Sequence, residues 1–162
     1  MTKNILLDEL KKFTEEATKD LIMPLKPQKG ETEQQYRSAE VFKMRLPDSR
    51  EAQKKAPYII HQVITGKDNQ ISTQNTDCKA VIRSIFCVYN EDEQEGALML
   101  LNLMERLRIA LLKQRVISKQ FALDMESGIE YLIYPDDTAP FFAGEMVSNW
   151  LLPRIEREVI YE

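Results

Sequence analysis

Residues 88–112, VYNEDEQEGALMLLNLMERLRIALL, pass from a strand-like apolar run through an acidic turn into a long helical repeat. From Leu100 to Leu111, apolar residues recur every three or four positions, which is the spacing of one face of an α-helix. We therefore expect a helix at about 92–114 that packs back onto the sheet containing the preceding strand. The predicted apolar stripe consists of Leu100, Leu101, Met104, Leu107 and Leu111, widened by Ala97, Leu103 and Ala110.

The acidic cluster in segment 91–95 could be a catalytic or metal site, or simply the start of this helix. Acidic side chains are favourable at the positive end of a helix dipole, and Asn90 stands at capping-box spacing from Glu93. The chain has no EF-hand spacing and only one histidine. The cluster is therefore interpreted as a helix start. Gly96, which is unfavourable inside a helix, predicts that another group packs close to that backbone.

Length and composition favour a single ordinary domain without a membrane span. The chain has 162 residues and a net charge of −4, which argues against a protein that binds duplex nucleic acid. Its longest apolar run, 97–104, is far too short to cross a bilayer. The N-terminal segment lacks the apolar core of a signal peptide, so we expect the protein to be made and to fold in a cytoplasm.

The two cysteines lie in one strand-like run. Cys78 and Cys87 are separated by an odd number of positions, so they point to opposite faces of a strand and cannot pair with each other. They also lack CxxC spacing. We expect two reduced thiols with no metal or redox role.

The remaining pattern predicts one α+β domain over 1–162, with a mixed, mostly antiparallel sheet flanked by an N-terminal helix and the long central helix. Segment 24–56 is loop-rich, and its part 24–40 is predicted to become ordered only on assembly. Strand 41–46 is expected to bury Phe42, Met44 and Leu46. The other predicted elements are a helix at 4–21, strands at 57–65, 76–90, 115–126, 128–135 and 141–153, and loops at 66–70 and 135–140.

Other residues that can carry chemistry have simpler interpretations. His61 lies in a strand without an accompanying nucleophile motif, so we expect a hydrogen-bonded structural histidine. Asp136 and Asp137 occur in PDDTAP, which is typical of a turn. Trp150 is expected in the core or an interface. No P-loop, GxGxxG, HExxH or GxSxG motif is present, so we expect no catalytic residues, no metal site and no cofactor.

Taken in order, the chain resembles the tail terminator proteins of long-tailed bacteriophages and prophages, which are also described as minor tail or tail-completion proteins. The resemblance covers about 57–160 and, more loosely, the first helix. It is carried by PYIIHQV, by AVIRSIFCVYNEDEQEGALMLLNLMERLRIALL with its "EG" helix opening, by IEYLIYP and by APFFAGEMVSNWLLPRIERE. The family shares architecture more than fixed residues.

The resemblance implies a structural protein of the virion that is not an enzyme. Its subunits would form a ring, commonly of six, that caps the tail tube, ends its polymerisation and offers a surface for joining the head. The expected partners are other copies of the chain, the tail tube protein and a head or neck connector, with no membrane and no specific nucleic acid. The candidate interface is the loop with Asp136, Asp137, Phe141 and Phe142; burial of both phenylalanines within the subunit is the open alternative.

Two other functions remain open from the sequence. One is a different neck or head-completion connector with a similar small fold. The other is a small metal-dependent hydrolase that uses Asp124, Glu126, Asp136 and Asp137.

Overall fold

A computed structural model describes residues 2–48, 50, 52, 55–71 and 77–159. These residues form two helices, α1 (Lys3–Thr18) and α2 (Glu93–Gln114), and nine strands. The first four strands along the chain are β1 (Met23–Pro24), β2 (Tyr36–Arg37), β3 (Glu40–Lys43) and β4 (Tyr58–Asn69). The other five are β5 (Asp77–Tyr89), β6 (Val116–Ile117), β7 (Phe121–Leu123), β8 (Ile129–Ile133) and β9 (Phe141–Leu151).

Seven of these strands form one mixed sheet in the order β3-β4-β5-β9-β7-β6, and β8 also pairs with β9. Only β3 and β4 are parallel; the other pairs are antiparallel. The long strand β5 lies at the centre between β4 and β9, as its apolar character predicted. The predicted α+β class, with a mostly antiparallel sheet flanked by an N-terminal and a central helix, is confirmed.

Both helices cover one face of the sheet, and the main core lies between the helices and this face. The predicted stripe of α2 is largely correct, although Leu101 is only partly buried and Ala97 is exposed. Thr2 caps α1 by accepting a hydrogen bond from the amide of Ile5, at 3.3 Å. Trp150 is fully buried in this core, as predicted.

A second, smaller apolar cluster lies on the opposite face of the sheet. It contains Tyr58 and Ile60 of β4, Cys87 and Tyr89 of β5 and Phe141 of β9. Cys78 is buried on the helix-facing side of β5 and Cys87 in this second cluster, and both thiols are free. The prediction that the cysteines lie on opposite faces is confirmed.

The loop-rich segment 24–56 contains more regular structure than the sequence indicates. Its start pairs with 36–37 in the short hairpin β1–β2. The predicted buried face of strand 41–46 is correct only in part: Phe42 and Leu46 pack partly against the second cluster, whereas Met44 is exposed. Val41, on the other face, is the buried residue of β3. Met44 has a φ of 64°, which ends the strand. Four residues of segment 49–56, at positions 49, 51, 53 and 54, lie outside the described residues.

Two further boundaries differ from the predictions. Segment 66–70 was expected to be a loop, but β4 continues to Asn69 because β5 pairs with it along that length. The absence of a side chain at Gly66 leaves room for the Lys3 side chain; a Cβ on this glycine would lie 2.7 Å from Lys3 Cε. The predicted single strand 115–126 is instead the hairpin β6–β7, which turns through Ser118 and Lys119, both with positive φ.

Candidate assembly surfaces

The acidic cluster forms the start of α2. The carboxylate of Asp92 accepts hydrogen bonds from the amides of Gln94 and Glu95, at 3.0 and 3.1 Å, and is therefore the N-cap. The prediction that Asn90 caps the helix is wrong: its side chain accepts the amide of Asp92 at 2.9 Å and shapes the turn before the cap. Both amides bond to Oδ1 of Asp92, which is the hydrogen bonding expected of an ordinary helix N-cap.

Glu91 is held by the end of β5 rather than by the helix. The hydroxyl of Tyr89 donates a hydrogen bond to the carboxylate of Glu91. Burial, reinforced by this carboxylate, raises the pKa of Tyr89 to about 12. The phenol therefore stays protonated as a donor, and the pair ties the acidic turn to the second apolar cluster.

His61 is completely buried between α1 and the sheet. The Thr14 hydroxyl donates to the carbonyl of Leu10 at 2.7 Å, so it accepts the proton of His61 Nε2 at 2.8 Å. The Ser84 hydroxyl lies 2.7 Å from Nδ1 and donates to it. Burial lowers the pKa of the imidazole to about 3. The prediction of a hydrogen-bonded structural histidine is confirmed. The imidazole stays neutral and links α1 to β4 and β5.

Asp124 is the one buried carboxylate among the described residues. Its oxygens accept from the Ser127 hydroxyl at 2.8 Å and from the amide of Glu126 at 3.1 Å. The ammonium of Lys79 lies 3.4 Å away. These contacts lower the pKa of Asp124, with the Ser127 hydrogen bond as the largest cause, so the carboxylate is charged. Its hydrogen bonds stabilise the turn between β7 and β8.

The four acidic residues considered for a hydrolase do not converge. Asp124 and Glu126 precede β8, whereas Asp136 and Asp137 follow it, so the two pairs are separated by the length of a five-residue strand, about 16 Å. Among the described residues, no three His, Cys, Asp or Glu side chains lie close enough together to share a metal ion.

The loop 134–140 is fixed to the start of α2. The amide of Asn90 donates to the carbonyl of Pro140 at 2.9 Å, and Thr138 hydrogen-bonds to Phe141 through both backbone and side chain. Asp136 and Asp137 are exposed at the tip. Two of the four candidate interface residues therefore lie on an accessible and well-supported loop.

The two phenylalanines of the candidate interface lie on opposite faces of the sheet, as their adjacent positions predict. Phe141 is buried in the second cluster, with its ring centroid 5.4 Å from that of Tyr89. Phe142 is partly buried against the main core and fills the space beside Gly96. Both side chains pack within the chain itself, which is the alternative left open by the sequence. The expected close neighbour of Gly96 is confirmed and is Phe142.

An exposed apolar strand at the edge of the sheet is the surface that sequence reasoning missed. Tyr131, Leu132 and Ile133 of β8 are 54%, 53% and 41% exposed. Within the described residues, β8 pairs only with β9. Apart from Glu130, the run IEYLIY is apolar, which normally predicts a covered strand, so the sequence carries little signal that this strand lies at an edge.

The other end of the sheet carries two open grooves beside β3. One, of about 690 Å³, lies between α1 and segment 37–42; the other, of about 240 Å³, lies beside the β1–β2 hairpin. Arg37 and Glu40 line both. Arg37 also donates to the carbonyls of Lys55 and Pro57, at 2.5 and 3.2 Å, which holds the segment before β3 in place.

A comparison with models of known protein families finds no match, and a comparison with curated protein sequences finds none either. In the part of the chain that the structure describes, no helix is both long enough and apolar enough to cross a membrane.

Proposed function

We propose that this chain is a ring-forming tail terminator subunit of a long-tailed bacteriophage or prophage. In this function the ring caps the tail tube, ends its polymerisation and provides the surface that joins the head. The protein would accordingly be part of the virion, at the tail or neck. The first support is the sequence resemblance over 57–160, whose segments correspond to β4, the β5–α2 unit, β8 and β9.

The observation that carries the proposal is the exposed apolar edge strand β8. An edge strand with free backbone groups and apolar side chains is a template for pairing with another chain, and monomeric proteins normally protect such edges with charges, bulges or a covering element. Tyr131, Leu132 and Ile133 are exposed on this edge, and among the described residues no strand or helix covers it; Glu130 is the charge within the strand. This exposed edge therefore supports assembly of copies through the sheet.

The supported acidic loop suits a second contact. Asp136 and Asp137 stand on a loop whose base is tied by hydrogen bonds to the start of α2, so the backbone of the loop is held in place. A rigid polar loop is a suitable surface for the tail tube or for the connector at the head, because little conformational entropy is lost on binding.

Deletion of the gene from the phage or prophage that encodes it tests this function. Tails of uncontrolled length without heads, seen by electron microscopy and corrected by a plasmid copy, are expected. Heads and tails of normal length that fail to join would instead indicate the neck or head-completion connector. Normal infectious particles would refute both functions.

A further inference from the structure

The open edge of β8 presents three regularly spaced backbone positions. The amide of Tyr134 bonds to the carbonyl of Ala143 on β9, at 3.0 Å. Hydrogen-bonding residues alternate along an antiparallel strand, so the backbone N–H and C=O groups of Ile129, Tyr131 and Ile133 point away from β9. This edge can accept one more strand.

The edge of β3, at the opposite end of the sheet, is also open. The amides of Glu40 and Met44 donate to the carbonyls of Pro57 and His61, at 3.1 and 2.7 Å, and so face β4. Since backbone groups alternate in direction along a strand, those of Val41 and the amide of Lys43 face away from β4. The groove of about 690 Å³ gives access to this edge, because Val41 and Phe42 line it. β3 has four residues and β8 five, so the two edges match in length.

The charges around the two edges are complementary. Segment 124–137, which contains β8, has five acidic residues and no basic one. The two grooves beside β3 are lined by three acidic residues and five basic ones: Lys11, Lys19, Lys26, Arg37 and Lys55. Two β8 edges would repel each other, whereas β8 and the β3 edge attract.

We propose that β8 of one copy adds to the free edge of β3 in the next copy, so that the sheets of neighbouring subunits become continuous. This inference deepens the proposed function, because it names the contact between ring subunits. The two edges are different surfaces, so the contact is heterologous and repeats from copy to copy, which is what a ring requires.

Sedimentation of two variants, each altered at one edge, tests the contact. Tyr131→Lys places a cation on the β8 edge, and the double change Lys11→Glu with Lys19→Glu reverses the charge of the groove wall. Each is expected to weaken self-association about tenfold or more.

The matched controls are Leu98→Lys, at an apolar position 52% exposed on α2, and Lys12→Glu with Arg157→Glu, at exposed cations outside the grooves. Thermal melting confirms that each variant folds.

Mixing the two edge variants gives the sharper result. Each keeps one intact edge, so the mixture is expected to form a 1:1 complex that grows no further. Wild-type protein that stays monomeric at about 1 mM would overturn the proposal, since that concentration detects even weak contacts. Groove variants that associate like the wild type while Tyr131→Lys does not would show a β8–β8 contact instead, and unchanged association of both would show that neither edge is used.

The outcome is separable from that of the proposed function. If the edge variants behave as expected but deletion of the gene leaves tails and heads normal, the strand contact stands and the tail terminator function falls. If deletion gives long headless tails while both edge variants associate normally, the reverse holds.

Discussion

The aromatic ring of Phe142 on β9 occupies the space that a side chain on Gly96 of α2 would need. This close approach joins the first turn of the long helix to the last strand of the sheet. It also fixes the position of the acidic turn, because Asp92 caps the same turn of helix. Gly96 weakens the helix locally but leaves room for this packing contact.

Gly96→Ala is expected to destabilise the protein although alanine favours helices. Alanine contributes up to about 1 kcal/mol of helix propensity, but displacing the Phe142 ring costs about 1–3 kcal/mol. In a Phe142→Leu background the ring is absent, and Gly96→Ala should then be neutral or stabilising. Urea unfolding of the four proteins measures this, and equal effects in both backgrounds would contradict the packing argument.

The buried His61 should make the protein less stable in weak acid. In the unfolded chain the imidazole protonates near pH 6.5, whereas in the folded protein its pKa is lowered to about 3. Between these values the unfolded state binds one more proton, so stability is lost as the pH falls from 6.5, by about 1.4 kcal/mol for each pH unit, and the loss levels off near pH 3.

His61→Gln provides the control for this pH dependence. His61 is the only histidine in the chain, so the variant keeps the background from the carboxylates and loses only the imidazole. The variant is less stable at neutral pH, since it replaces the hydrogen bonds to Thr14 and Ser84, but its free energy of unfolding should fall less between pH 6.5 and 4. Parallel curves for the two proteins would show that His61 is protonated in the folded state.

The cap of α2 should be specific to Asp92. Asp92→Ala removes the acceptor of two backbone amides and is expected to cost about 0.5–2 kcal/mol. Asp92→Asn keeps an acceptor oxygen and should cost less. Chemical denaturation measures the free energy of unfolding of each variant. A larger loss for Asn90→Ala than for Asp92→Ala would show that Asn90 is the N-cap.

The buried face of α2 should dominate its contribution to stability. Leu107 is fully buried and Leu98 is 52% exposed on the same helix. Leu107→Ala is expected to cost about 2–5 kcal/mol, and Leu98→Ala about 0.5 kcal/mol or less. Denaturant melts compare the two directly, and similar losses would mean that the helix is packed on both sides.

The sequence predicts the helices and the central strand because their signals are local. A helix is predicted by the spacing of Leu100, Met104 and Leu107. A strand is predicted by the nearly continuous apolar run of β5. Where the predictions fail, the deciding partner is distant. Gly66 and its polar neighbours look like a turn, but pairing with β5 keeps them in a strand. Ser118 and Lys119 turn with positive φ although neither is a residue that signals such a turn.

The candidate surfaces are predictable only in part, for a related reason. Asp136 and Asp137 lie beside prolines, so the loop is visible in the sequence, and the alternation at Phe141 and Phe142 correctly places them on opposite faces. The exposure of Tyr131 depends on which strand ends the sheet. That is set by topology and not by local pattern, so the largely apolar run IEYLIY gives little warning of an open edge.

The last prediction concerns the loop that carries Asp136 and Asp137. Phe141→Asp cannot test this loop, because it would bury a charge in the second cluster. Asp136→Lys with Asp137→Lys changes only exposed side chains, so the free energy of unfolding should change by about 0.5 kcal/mol or less. If this loop meets the tail tube or the connector, the variant should fold normally and yet fail to correct the tail length or head joining of a deletion strain. Glu156→Lys with Glu158→Lys, which reverses two exposed charges on the C-terminal segment, is the matched control and should restore normal particles. Full correction by the loop variant, in a protein shown by melting to be folded, would remove this loop from the functional contacts.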